Sequence, residues 1–215
     1  MEIPKTTVVY RYKNGLYVNL TNRCPTACVF CVKNAWKMDY RGSDLNLGGA
    51  EPSPAEVIAL AKAQWAEAPF EEFVFCGYGE PTMRLEAMLT CARLIKNGRA
   101  EPLPRTLKVR LNTNGLANAV WGRNVVPEMK GLIDSVHVSL NTADPAQWLA
   151  LMRPLEPWAA TGFGKVKEFI REASLLLPEA CATAVEGEGI DTERFKALAV
   201  QLGAEPLLRP RLETP

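Results

Sequence analysis

Six apolar segments typical of β-strands recur along this 215-residue chain, with helix-like segments between them. Regular strand–helix alternation favours a parallel sheet with right-handed crossovers, and so an α/β fold. A six-unit chain can curve into a (β/α)6 partial TIM-like barrel, in which ligands bind at the carboxyl ends of the strands. The predicted strands are 15–20, 70–76, 107–112, 133–141, 179–187 and 205–211, and segment 7–12 is expected to pair with the first as a hairpin.

The predicted helices begin and end at recognisable signals. Ser53 and Pro54 are typical of a helix start, and that helix is expected to run toward Ala66. Further helices are predicted at 83–97, near 121–131, in segments over 145–176, and at 191–203. The six units take up the whole of residues 1–215, so we expect a single domain with no auxiliary metal cluster.

Composition narrows the class of protein. Lys and Arg (25) nearly cancel Asp and Glu (24), which argues against nucleic acid as the main partner. Neither a signal peptide nor an apolar run of membrane-spanning length is visible, so we expect a cytoplasmic protein without a membrane partner. In that compartment the six cysteines stay reduced and are expected to be metal ligands, reactive thiols or core residues.

Three of the cysteines crowd into one short segment, Cys24-Pro-Thr-Ala-Cys28-Val-Phe-Cys31, directly after the first predicted strand. Thiolates are the usual ligands of iron–sulfur clusters, and three of them would leave the fourth iron of a cubane open to another ligand. A structural zinc site would want four closed ligands. The only histidine, His137, lies within a predicted strand. A zinc-stabilised binding module and a non-catalytic iron–sulfur carrier remain as alternatives.

The CxxxCxxC pattern, with the aromatic Phe30 before its last cysteine, resembles the radical S-adenosylmethionine (SAM) superfamily. The resemblance implies a 4Fe–4S cluster on Cys24, Cys28 and Cys31, with SAM bound to the open iron. It also implies cleavage of SAM to a 5′-deoxyadenosyl radical that abstracts hydrogen from a small substrate. An electron donor such as flavodoxin or ferredoxin would be a partner.

Further motifs at the ends of the next strands resemble the family's SAM site. Gly77-Tyr78-Gly79-Glu80 resembles the GGEP motif, in which strand-end carbonyls and the glutamate accept hydrogen bonds from the ammonium of SAM. Asn112 falls at the ribose-binding position, and Asn114 is interpreted as part of an Asn-Gly turn.

Three residues farther along complete the SAM site that the resemblance implies. Ser139 matches a position that contacts the carboxylate or ribose, and Arg153 is a candidate for binding the carboxylate. Val185 would pack on the adenine.

The strand period of two predicts which side chains line the interior. If Asn112 faces inward, Arg110 does too, and Ser139 implies the same of His137. With Arg209 on the last strand they would favour an anionic substrate such as a carboxylate or phosphate. Pairing of these arginines with Glu72, Glu186 or Glu205 is the alternative. The catalytic candidates are Cys76, His137 and Arg110, with Cys76 either a hydrogen donor or a buried small residue.

The amino-acid sequences of these motifs resemble those of the small radical SAM proteins associated with TatD-type metal-dependent nucleases. Such a nuclease is therefore a candidate partner. We expect hydrogen abstraction from a small, anionic, nucleotide-like metabolite. Two rival enzyme functions stay open: a queuosine-salvage-type lyase acting on a 7-deazaguanine nucleoside, and an activase that installs a glycyl radical on a partner protein.

Overall fold

The computed structural model describes residues 7–187 and 189–212, and its centre is a seven-stranded sheet. The strand order is β1-β2-β5-β6-β7-β8-β9, with β1 antiparallel to β2 and every later neighbour parallel. The parallel α/β sheet and the amino-terminal hairpin are therefore confirmed. The strands of this sheet are β1 Val9–Tyr12, β2 Gly15–Val18, β5 Glu72–Phe75, β6 Lys108–Thr113, β7 Ser135–Ser139, β8 Glu179–Val185 and β9 Glu205–Arg209.

Helices connect the parallel strands. Helix α2 begins with a capping box, in which the Ser53 side chain accepts from the Glu56 amide and the Glu56 side chain accepts from the Ser53 amide. Its predicted start is thus confirmed. The main helices are α2 Pro54–Glu67, α3 Leu85–Lys96, α6 Pro145–Met152, α7 Gly162–Leu176 and α8 Thr192–Gln201, and a 3₁₀ turn at Pro81–Arg84 precedes α3.

Two regions differ from the sequence prediction. The single short helix expected near 121–131 is two helices, α4 Ala117–Trp121 and α5 Val126–Met129. Gly122 ends α4 in the left-handed conformation (φ 64°), which glycine adopts without steric cost. The sequence also gave no sign of the segment after the cysteines, which forms the short helix α1 Val32–Ala35 and the small hairpin β3 Asp39–Tyr40 and β4 Ser43–Asp44.

The two faces of the sheet carry different side chains. The face toward the helices is apolar: Phe73, Phe75, Val109, Leu111 and Val136 are fully buried there. Burial of each such side chain stabilises the fold by about 1.5–3 kcal/mol. The opposite face carries the polar residues of β6 and β7 at alternate positions, as predicted. No helix among the described residues is long and apolar enough to cross a membrane.

Candidate active site

The cysteine loop follows β2, and the end of α6 holds it in place. The Ala27 amide donates to the Arg153 carbonyl (3.0 Å), and the Val29 amide donates to the Leu151 carbonyl (2.9 Å). Arg153 itself is exposed and adopts a left-handed conformation (φ 44°) where α6 ends. The structure therefore gives Arg153 a backbone role beside the loop, and its side chain lies at the surface.

The hydroxyl of Thr26 lies between two of the thiols, 3.2 Å from Cys24 Sγ and 3.4 Å from Cys28 Sγ. Burial raises the pKa of Cys24 and raises that of Cys28 to about 12, so both stay protonated until a metal binds. Within the described residues, no three His, Cys, Asp or Glu side chains are arranged to hold one metal ion.

Glu80 is 3% exposed, and protein donors surround its carboxylate. Oε1 accepts from the amide and hydroxyl of Thr82 (3.1 and 2.7 Å) and from the Thr113 hydroxyl (2.8 Å). Oε2 accepts from the Asn114 amide (2.7 Å). A carboxylate has about four acceptor sites, two on each oxygen, so these contacts use Oε1 fully and leave one site on Oε2. Glu80 therefore positions the neighbouring loop, and its contact with the ammonium of SAM stays a prediction, with Oε2 as the atom that could accept it.

Gly77 and Gly79 permit a close approach, although the neighbour is the protein's own backbone. A Cβ on Gly79 would lie 2.2 Å from the Thr21 carbonyl oxygen, and one on Gly77 would lie 2.7 Å from the Asn19 Cα. Tyr78, between them, is buried, and its hydroxyl donates to the Asp39 carbonyl (2.7 Å). This motif thus sets the position of the segment that leads into the cysteine loop.

Asn114 is a residue of the site that the sequence analysis missed. Its Nδ2 lies 3.8 Å from Cys24 Sγ, while its Oδ1 accepts from the Leu116 amide (2.9 Å). The Asn-Gly dipeptide hid this role, because the turn and the thiol contact use different atoms of one side chain. Asn112 points inward as predicted, and it hydrogen-bonds the Cys76 thiol, whose pKa is raised by burial.

The other predicted SAM contacts lie near the same edge of the sheet. Ser139 ends β7, and its hydroxyl lies 3.5 Å from Arg209 Nη2. Val185 ends β8, where its amide donates to Asn141 Oδ1 (3.2 Å). Phe30 is partly buried and packs against the main core.

Arg110 is the centre of a polar cluster on the inward face. Its Nη2 contacts Glu72 (2.9 Å) and the Tyr17 hydroxyl (2.8 Å), so the pairing left open by the sequence is formed with Glu72. Its Nη1 lies 3.4 Å from His137 Nδ1. Burial, followed by the charge of Arg110, lowers the pKa of His137 to about 4, so the imidazole is neutral at physiological pH.

The amino-terminal end of the sheet holds ion pairs. Lys108 contacts Glu179 (2.6 Å) and Glu72 (3.7 Å). A cavity of about 500 Å³ opens there beside Tyr17 and Arg110, at the end of the strands opposite the cysteine loop.

A family model described as the Radical SAM superfamily matches residues 18–202, from the end of β2 through α8. The chain belongs to the radical SAM superfamily. The match covers the cysteine loop and the four strands of the main sheet that follow it, β5 to β8. As a radical SAM enzyme the protein uses a 4Fe–4S cluster and SAM, and the half-buried thiols on one loop suit the soft iron of such a cluster.

Solved radical SAM structures share the fold. A radical SAM methyltransferase from Sphaerobacter thermophilus superposes with a TM-score of 0.58 at 14% identity, over 94% of this chain and 68% of that one. The methyltransferase TsrM from Kitasatospora setae, solved with cobalamin and a [4Fe–4S] cluster, gives 0.51 at 14% identity, over 87% of this chain and 35% of that one.

A second TsrM structure, with tryptophan and a SAM analogue, gives a TM-score of 0.50 at 15% identity, over 88% of this chain and 34% of that one. This radical SAM chain thus spans about a third of the TsrM length. At these identities the likeness shows the fold alone. A search of curated protein sequences finds no match.

Proposed function

We propose that this radical SAM enzyme abstracts hydrogen from a small anionic molecule bound against the inward face of the sheet. The observation that carries the proposal is the placement of polar side chains at the strand ends beside the cysteine loop. Asn112, Ser139 and Arg209 occupy the inward positions of β6, β7 and β9. A 4Fe–4S cluster held by Cys24, Cys28 and Cys31 would supply the electron for the reductive cleavage of SAM.

Cys24, Cys28 and Cys31 would hold the cluster in this proposal. Thr26 orients the first two thiols, and Asn114 approaches Cys24 from β6. Hydrogen bonds from such donors stabilise thiolate charge and tune the potential of a bound cluster. The chain thus gives two of its three ligands a defined polar neighbour.

Asn112 and Ser139 would bind SAM, because their amide and hydroxyl groups can both donate to and accept from ribose hydroxyls. Val185 would pack on the adenine. The proposal gives Glu80 a positioning role, because four hydrogen bonds from Thr82, Thr113 and Asn114 already hold its carboxylate.

In this proposal Cys76 lies close to the substrate and acts on the radical formed there. It follows β5, and Asn112 binds its thiol. Because burial raises its pKa, the sulfur keeps its hydrogen, and a neutral thiol can give a hydrogen atom to a carbon radical. The thiyl radical left behind would return to the thiol by taking one electron from the electron donor and one proton. His137 is neutral and would act as a hydrogen-bonding group rather than a cation.

Because the chain belongs to the radical SAM superfamily, we no longer consider a zinc-stabilised binding module or a non-catalytic iron–sulfur carrier. The lyase and the activase remain distinct outcomes within the family. A lyase releases a second product from a 7-deazaguanine nucleoside, and an activase forms a stable complex with a protein that keeps a persistent radical. Association with a TatD-type nuclease rests only on the resemblance of the motif sequences.

Anaerobic reconstitution tests the proposal. The wild-type chain should bind about four irons and, after reduction by flavodoxin or dithionite, convert SAM to 5′-deoxyadenosine. Cys28→Ala should lose both properties. Cys91→Ala, in the buried face of α3, is the matched control and should keep them. Full iron content in the Cys28 variant, or no 5′-deoxyadenosine from the wild type, would overturn the proposal.

A further inference from the structure

Arg110, His137 and Arg209 are basic side chains on the inward face of the sheet, and their charges are compensated differently. Arg110 is paired with Glu72 at 2.9 Å. His137 is neutral, because burial lowers its pKa to about 4. Arg209 has no carboxylate within 4.0 Å among residues 7–187 and 189–212. Arg209 is therefore the uncompensated cation of the cluster.

The polar atoms of Arg209 are also under-used. Its Nε is buried without a hydrogen-bond partner in the described part of the protein. Its Nη2 makes one long contact, 3.5 Å to Ser139 Oγ. Guanidinium groups stay charged in proteins, and a buried charge without a partner is costly. A ligand that supplies the missing negative charge would explain why this position carries arginine.

Arg209 lies at the functional end of the sheet. It is the last residue of β9, and its register partner is Val185, the last residue of β8. Its Nη2 reaches past β8 to the Ser139 hydroxyl at the end of β7. The side chain thus reaches inward, toward the strands that carry the cysteine loop.

We propose that Arg209 binds the single anionic group of the substrate, a carboxylate or a phosphate. This inference rests on the proposed function, because it places the substrate inside the sheet's inward face. Arg209 suits the task because its planar fork matches both anions in bidentate geometry. Arg110 takes no anion of its own, since Glu72 already neutralises it.

The carboxylate of SAM offers the same chemistry, so the experiment must separate the two sources. His137 is the only histidine of the chain, so ¹⁵N-histidine labelling gives one imidazole spectrum that needs no assignment. Reconstituted enzyme is titrated with acetate and with inorganic phosphate at constant ionic strength. The titrations are run with wild type, Arg209→Gln and Arg209→Lys. Arg171→Gln, on the exposed side of α7, is the control.

Wild type and the Arg171 variant should show a saturable shift of the imidazole signals with at least one anion. Arg209→Gln should weaken that binding by about tenfold or more, and Arg209→Lys by less, because it keeps the charge and loses the fork. Acetate affinity should not change when SAM saturates the wild type. Unaltered anion affinity in Arg209→Gln, or no saturable shift in the wild type, would refute the inference.

Competition between acetate and SAM would also refute it, by assigning the guanidinium to the carboxylate of SAM. The iron content of each variant, measured on the same sample, confirms that it has folded around its cluster. Failure of the proposed function looks different: the wild type would form no 5′-deoxyadenosine, whatever anions it binds.

Discussion

Glu80 accepts a hydrogen bond from the backbone amide of Asn114 at 2.7 Å, and this contact joins the loop after β5 to the loop after β6. The Asn114 side chain continues from there to Cys24, with Nδ2 3.8 Å from Sγ. Glu80 can therefore influence the cluster site without touching it. Its other oxygen fixes Thr82 and Thr113, so one carboxylate sets the relative position of two strand ends.

Replacing Glu80 with Gln tests this positioning role. The amide would turn a donor toward groups that themselves donate, which leaves buried donors unpaired. We expect a loss of about 2–4 kcal/mol in the free energy of unfolding, and a lower iron content after reconstitution. Thermal unfolding and iron analysis measure the two effects.

Glu86→Gln, on the exposed side of α3, is the control for Glu80→Gln and should stay within about 0.5 kcal/mol of the wild type. If Glu80→Gln kept full stability and full iron content while the affinity for SAM alone fell, the direct contact with SAM would be restored as the better assignment.

The close approach at Gly79 gives a second prediction. A Cβ there would lie 2.2 Å from the Thr21 carbonyl oxygen and 2.8 Å from the Arg23 carbonyl oxygen, and neither backbone atom can rotate away. Gly79→Ala should therefore displace the start of the cysteine loop. We expect a loss of about 1–3 kcal/mol, typical of overpacking, and weaker iron binding.

Gly164 provides the matched substitution. It lies in α7, and no neighbouring atom would come within 4 Å of an added Cβ. Alanine there should be neutral or stabilise by up to about 1 kcal/mol, because alanine favours a helix over glycine. Equal stability of the two variants in urea unfolding would show that the contact at Gly79 has no cost.

The sheet could be predicted from the sequence because each strand shows its own alternation of apolar and polar residues, which can be read without knowing its neighbours. Alternation of apolar and polar residues in 107–112 and 133–141 gave the inward and outward faces of β6 and β7, and the structure agrees at Val109, Leu111 and Val136. The segment after the cysteines could not be predicted, because α1, β3 and β4 are each too short to show a period.

The partners of the charged groups could not be predicted from the sequence, because they depend on contacts between distant segments. Glu80 is bound by residues 33 and 34 positions away. The pairing of Glu72 with Arg110 depends on the register of β5 against β6. In that register Val74 lies opposite Arg110, so Glu72 lies two residues away on the same face of the sheet. The sequence named Arg110 as a catalytic candidate, whereas Arg209 is the inward arginine that has no carboxylate partner among the described residues.

The pKa of His137 gives a prediction about pH. Since burial lowers it from 6.5 to about 4, the imidazole signals should show no titration between pH 8 and 5. The unfolded chain protonates this histidine below about pH 6.5 and the folded chain does not. Stability should therefore fall as the pH drops from about 6.5 toward 4, at no more than about 1.4 kcal/mol per pH unit for this group.

Substitution of His137 by Gln should remove that part of the slope, which denaturant unfolding at several pH values measures. Arg110→Gln should raise the pKa of His137, because the nearest positive charge is lost. An imidazole that titrates near pH 6.5 in the wild type would contradict the buried environment.

The two inward arginines should differ in their effect on stability. Arg110 is 12% exposed and contacts both Glu72 and Tyr17, so Arg110→Gln leaves a carboxylate and a hydroxyl without their partner. We expect a loss of about 1–3 kcal/mol. Arg209→Gln removes a cation that has no carboxylate partner among the described residues, and it should leave stability unchanged or raise it by about 1–3 kcal/mol.

These unfolding measurements require a buffer without carboxylate or phosphate, because an anion bound at Arg209 would stabilise the wild type by mass action. Adding acetate should then raise the free energy of unfolding of the wild type relative to that of Arg209→Gln. It should not change the difference in free energy of unfolding between the wild type and Arg110→Gln. Equal destabilisation by the two substitutions, with no response to acetate, would mean that Arg209 has a structural partner and that its charge is not held for a ligand.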